Sequence, residues 1–112
     1  MGKLVWGGVA LLLSLVLCAG LTGGATAQDA GSGKRIFTER ADPPCAACHT
    51  LKAANSSGEI GPNLDELKPG LDRIRQAVKH GVGIMPAYAE QLSDAEIEAV
   101  AAYVADAVHA AK

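Results

Sequence analysis

Two cysteines and a histidine stand within five residues, Cys45-Ala46-Ala47-Cys48-His49, in a chain of 112 residues with few large side chains around them. The aromatics are Trp6, Phe37, Tyr88 and Tyr103 alone. A domain this small, with so little bulk, struggles to bury a core unaided. Something must staple or fill it, and the cysteine cluster is where that something attaches.

The compartment narrows the choice. Lys3 is followed by an apolar stretch from Leu4 to Leu21 that ends in Ala25-Thr26-Ala27. A basic start, an apolar centre and a small-x-small exit make residues 1–27 a secretory signal, leaving 28–112 as one domain. Three other roles for this segment compete. It is near the lower length limit of a membrane span, so it could stay as an uncleaved anchor. Cys18 could be a lipoprotein cysteine, but bulky Leu17 precedes it where a small residue is usual. A buried core helix would need more chain to wrap it. Loss of Lys3 leaves nine basic and twelve acidic residues, a formal charge of −3. A mildly acidic domain without a basic run argues against nucleic acid as a partner. A membrane is a partner only if the first segment is retained.

An exported free thiol pair is expected to oxidise, so a disulfide between Cys45 and Cys48 is the plain alternative. A thioredoxin-type dithiol needs a βαβ pattern, and no convincing strand is visible. Zinc would have to recruit His80 or His109, with no second close pair of ligands. The fourth chemistry is covalent haem attachment by Cys-x-x-Cys-His. On a helix, positions i, i+3 and i+4 share a face, so Cys45, Cys48 and His49 point the same way. Two sulfurs then reach the two vinyl groups of one porphyrin, and the imidazole lies under the iron. The motif is moderately specific alone and strong beside an export signal.

Gly33 to about Arg40 reads as a short helix carrying Ile36 and Phe37, broken by Asp42-Pro43-Pro44. Asn55-Ser56-Ser57-Gly58 and Gly61-Pro62-Asn63 are turn chemistry, so Thr50 to Lys68 reads as mostly loop. Leu71 to His80 reads as a helix, with Leu71, Ile74 and Val78 on one face and Gly81 just past its end. Ser93-Asp94-Ala95-Glu96 is a capping box. It opens a long helix whose apolar stripe is Ile97, Val100, Ala101, Val104 and Val108.

A carrier iron needs a second axial ligand. Met85 is the only methionine after residue 27, 36 residues beyond His49 in a loop bounded by Gly83 and Pro86. A thioether there suits the sixth position, and His/Met ligation raises the potential. His80 is the rival, with contact to the last helix carbonyls as its plain role. His109 falls in a fraying last turn.

These residues resemble the small monohaem class I cytochromes c of bacteria. The resemblance rests on Gly33 and Phe37, on Cys45-Ala46-Ala47-Cys48-His49, on Gly61-Pro62-Asn63-Leu64, on Gly83-Ile84-Met85-Pro86-Ala87-Tyr88, and on Leu92-Ser93-Asp94 leading into Val100-Ala101-Ala102-Tyr103-Val104. It implies an all-α cytochrome c fold, three to five short helices packed around one covalently attached haem c. It also implies a close crossing of first and last helices, with Gly33 and Phe37 against Tyr103, and a hydrogen bond from His49 to the carbonyl of Pro62. Many members have a tryptophan near the haem propionates. Residues 28–112 have none, and Tyr88 or an arginine such as Arg73 is the candidate to replace it.

A six-coordinate haem has no open site for substrate, so the expected function is electron transport, not catalysis. The protein would cycle Fe(III)/Fe(II) as a periplasmic shuttle between redox partners, a reductase and an oxidase or dehydrogenase. The alternatives are a permanent haem subunit of a larger periplasmic oxidoreductase, such as a sulfite dehydrogenase, and a sensor or small peroxidase with Met85 unbound.

Overall fold

The computed structural model describes Gly2 and residues 31–110. Apart from Gly2, the expected signal at 1–27, with Trp6 and Cys18, lies outside the described residues. No helix among the described residues is long and apolar enough to cross a membrane.

The first helix, α1, is α-helical over residues 31–35 and π-helical over Ile36–Arg40. The wide turn closes with Ala41 N–H donating to the Ile36 carbonyl at 3.1 Å, and it buries Ile36 and Phe37 side by side. Pro44 caps the short helix α2, Cys45–Cys48. Helix α3 is Leu64–Leu67, held at its start by the Asn63 side chain, which accepts from the Asp65 and Glu66 N–H groups. Helix α4 is Leu71–His80 and ends at Gly81, whose φ of 73° is open to glycine at little cost. Helix α5 is Asp94–His109, opened by the expected capping box between Ser93 and Glu96.

The segment from Thr50 to Lys68 is more ordered than its turn residues suggest. Thr50–Leu51 (β1) pairs antiparallel with Ser56–Ser57 (β2) around a tight turn at Lys52–Ala54. Ser56 Oγ donates to the His49 carbonyl at 3.0 Å and accepts from Leu51 N–H at 3.1 Å. Two-residue strands carry no alternation, which is why no strand pattern is visible in the sequence. The same limit hides the single turn of α3.

Among the described residues the fold is mostly helical, with five helices, in keeping with the expected cytochrome c fold. Phe37, Leu51 and Val100 are its largest fully buried side chains. Helices α1 and α5 cross closely, because a Cβ at Gly33 would run into the Ala99 carbonyl and Tyr103 Cβ. Phe37 meets Tyr103 edge-on, ring centroids 6.2 Å apart. All five residues of the expected α5 stripe are buried. Between α4 and α5, Arg75 bridges Asp72 and Glu98, an exposed cluster that adds little to stability.

Candidate functional site

Helices α2, α4 and α5, with the loop after α4, enclose an apolar cavity of about 280 Å³. Cys45, Cys48, His49, Pro62 and Met85 all line it, so the structure brings every expected site residue to one place.

Cys45 is buried on α2 and Cys48 half-buried, and the two are not bonded to each other. Burial pushes the Cys45 thiol up to about 11, with the nearby Cys48 adding to the rise. It is a protonated, apolar-walled thiol, unlike the low-pKa nucleophile of a redox dithiol. Among the described residues, no three His, Cys, Asp or Glu side chains gather to hold a metal ion.

His49 does not continue the α2 helix. It is the C-cap, with extended backbone at φ −116° and ψ 142°. Its ring direction therefore comes from its neighbours, not from helical spacing. A carbonyl only accepts, so the 2.7 Å contact between His49 Nδ1 and the Pro62 carbonyl places the proton on Nδ1. Nε2 keeps its lone pair for a metal. Gly61 makes room for the ring, since a Cβ there would lie 2.5 Å from His49 Cε1. The Gly61 N–H donates to the Cys48 carbonyl at 2.6 Å. Gly58 lies against the other side of α2, its would-be Cβ 2.7 Å from the Ala47 carbonyl.

Met85 sits in a tight turn. Val82 N–H donates to the Met85 carbonyl at 3.2 Å, and Met85 N–H to the Val82 carbonyl at 2.9 Å. Gly83, at φ 56°, supplies the left-handed residue inside it. The loop is fastened behind Met85 by Tyr88, whose N–H donates to the Val78 carbonyl at 2.8 Å. The Tyr88 hydroxyl donates to the Pro43 carbonyl at 2.7 Å. Burial and the nearby cysteines push this phenol up to about 12.

His80 is exposed at the end of α4 and does not line the cavity. His109 also stays outside. It is not loose as a fraying turn would leave it, because its Nε2 contacts the Pro69 carbonyl at 3.1 Å. The tie between Gln91 and Asp42 had no visible signal, being a contact across 49 residues.

The family described as cytochrome c oxidase, cbb3-type, subunit III, matches residues 28–104. A cytochrome c6 from Picosynechococcus sp. is 37% identical over 93 residues, covering 73% of this chain and 76% of that protein. The chain belongs to the small monohaem class I cytochromes c. A second cytochrome c6, from Synechococcus sp., is 36% identical over 108 residues, covering 86% of the cytochrome and 87% of that protein. Among solved structures, the c-type cytochrome SorU from Sinorhizobium meliloti superposes with a TM-score of 0.71 at 52% identity. The superposition covers 73% of the cytochrome and 93% of SorU.

The cytochrome carries one covalently bound haem c and is an electron carrier, not an enzyme. Its site fits such a group: apolar walls, two unbridged thiols, an imidazole with a free Nε2 and a thioether at one cavity.

Proposed function

We propose that this cytochrome is exported, loses residues 1–27, and shuttles electrons in the periplasm between a reductase and an oxidase or dehydrogenase. In this role Cys45 and Cys48 hold the haem as thioethers, and His49 and Met85 hold its iron. The observation that carries the proposal is the shared cavity, reached by the tautomer-fixed His49 from one segment and by Met85 from another.

The bound haem supplies a one-electron Fe(III)/Fe(II) change. The chain's own residues do the rest. Pro62 orients His49 and strengthens it as a ligand. The turn at Val82–Met85 presents the thioether and favours the reduced state. Ile74, Val78, Val100 and Val104 keep water from the interior of the cavity, which limits reorganisation when charge changes. With His49 and Met85 holding the iron, no place would be left for a substrate.

A permanent haem subunit of a larger oxidoreductase is the second function. Ile60, Leu67, Val82 and Ile84 favour it, being 67%, 40%, 66% and 86% exposed around the same cavity. Four side chains still make a small patch, which suits brief encounter better than an obligate interface.

Absorption spectra of the purified protein, oxidised and reduced, with and without carbon monoxide, test the proposal. A c-type spectrum indifferent to carbon monoxide supports a closed carrier. Ready carbon monoxide binding would move the function to sensing or catalysis.

A further inference from the structure

We propose that Ser56 is a positioning residue for His49: its hydroxyl holds the His49 backbone, so that the imidazole keeps one orientation toward the haem iron. The proposal rests on His49 being an iron ligand.

His49 is the exit of α2, where the last carbonyls have no partner inside the helix. The chain that follows captures two of them. Gly61 N–H donates to the Cys48 carbonyl at 2.6 Å. The Ser56 hydroxyl donates to the His49 carbonyl at 3.0 Å. A hydroxyl has a single proton to give. Its other acceptor, the Leu51 carbonyl, is farther away at 3.4 Å, so the proton goes to His49. Leu51 N–H donates to the same Oγ at 3.1 Å, which polarises the hydroxyl in the direction of His49.

The hairpin is what presents Ser56. Its register sets Ser56 opposite Leu51, two residues beyond His49. Just past β2, Gly58 lets the returning strand lie against α2, where a Cβ would be 2.7 Å from the Ala47 carbonyl. Thr50 Oγ1 donates to the Gly58 carbonyl at 3.0 Å and closes the hairpin without touching the His49 carbonyl.

His49 is thereby held at three points. Its N–H donates to the Cys45 carbonyl at 3.0 Å, its ring to Pro62, and its carbonyl accepts from Ser56. The Pro62 bond by itself is a pivot about which the ring can tilt. The extended backbone of His49 has no further helical bond to oppose that tilt, and the Ser56 bond supplies the second fixed point.

The g values and the haem-methyl proton shifts of the oxidised holo-cytochrome report the orientation of an axial imidazole. They are compared in the wild type, Ser56→Ala, Ser56→Thr and Thr50→Val. Thr50→Val removes the other hydroxyl bond of the hairpin and leaves the His49 carbonyl held. The expected result is altered g values and redistributed methyl shifts in Ser56→Ala alone, with Ser56→Thr, which keeps the hydroxyl, close to the wild type. Wild-type spectra in Ser56→Ala overturn the proposal. So does an equal change in Thr50→Val, which would mean a general loosening of the hairpin, or in Ser56→Thr. Ser56→Cys, of similar shape and a weaker donor, is read by the same two outcomes where Ser56→Ala does not fold. A wild type without histidine on its iron overturns His49 as ligand and the Ser56 proposal with it. Histidine ligation with an indifferent Ser56 overturns the positioning alone.

Discussion

The side-chain amide of Gln91 spends both of its polar atoms on the backbone of Asp42. Its Oε1 accepts from the Asp42 N–H at 2.9 Å and its Nε2 donates to the Asp42 carbonyl at 2.7 Å. The Gln91 carbonyl also accepts from Arg40 at 3.0 Å. With the Tyr88–Pro43 bond, this fastens the loop behind Met85 to the turn before Cys45. Gln91→Ala should cost about 1–3 kcal/mol by denaturant unfolding, two hydrogen bonds at roughly 1 kcal/mol each with part of the Asp42 backbone left unpaired. On the proposed ligation, it should also speed displacement of Met85 by added imidazole. Unchanged stability and displacement rate would show the tie to be incidental.

The α1–α5 crossing has no space for a side chain at residue 33. Gly33→Ala would push a methyl group into backbone at Ala99, which cannot swing aside as a side-chain tip can. The expected loss is about 1–3 kcal/mol, in the range of overpacked cores. Thermal unfolding of the holo-protein measures it, and a variant as stable as the wild type would mean that the helices separate freely.

Tyr103 presents the opposite case. Its hydroxyl is buried with no hydrogen-bond partner among the described residues. An unpaired buried hydroxyl is costly, so Tyr103→Phe should be neutral or stabilising by up to about 1 kcal/mol while keeping the edge-on contact with Phe37. A clear loss of stability would reveal a partner for this hydroxyl.

Both tyrosines of the chain are raised by burial, Tyr88 to about 12. An unfolded tyrosine ionises near pH 10. Above that pH the unfolded chain gives up phenolic protons that the folded one keeps. With Cys45 and Cys48 as thioethers only burial and the nearby Asp42 raise Tyr88, and the stability linked to it is complete below about pH 10 and lost as pH rises above that. A spectrophotometric base titration should show delayed tyrosinate absorbance that appears together with unfolding. Half of the absorbance appearing near pH 10 in folded protein would contradict this.

The chemistry of the site was legible because it resides in short motifs. Cys45, Cys48 and His49 are contiguous, Gly83 and Pro86 bracket Met85, and Ser93 and Glu96 announce α5. What stayed hidden depends on contacts far apart in the chain. Spacing alone puts His49 on a helix face, whereas it is a C-cap aimed by Pro62 and Gly61. The β1–β2 pair and α3 are too short to show a period. The Tyr88 hydroxyl bond to the Pro43 carbonyl joins residues 45 apart and has no local signal in the sequence.

The oxidised spectrum of a Met85→Ala variant beside that of the wild type tests whether Met85 holds the iron. The wild type should show the weak long-wavelength band of a thioether on Fe(III). The variant should keep its covalent haem, lose that band and bind carbon monoxide when reduced. A variant that retains the band and stays closed to carbon monoxide would contradict it, because the sixth ligand would then come from elsewhere in the chain.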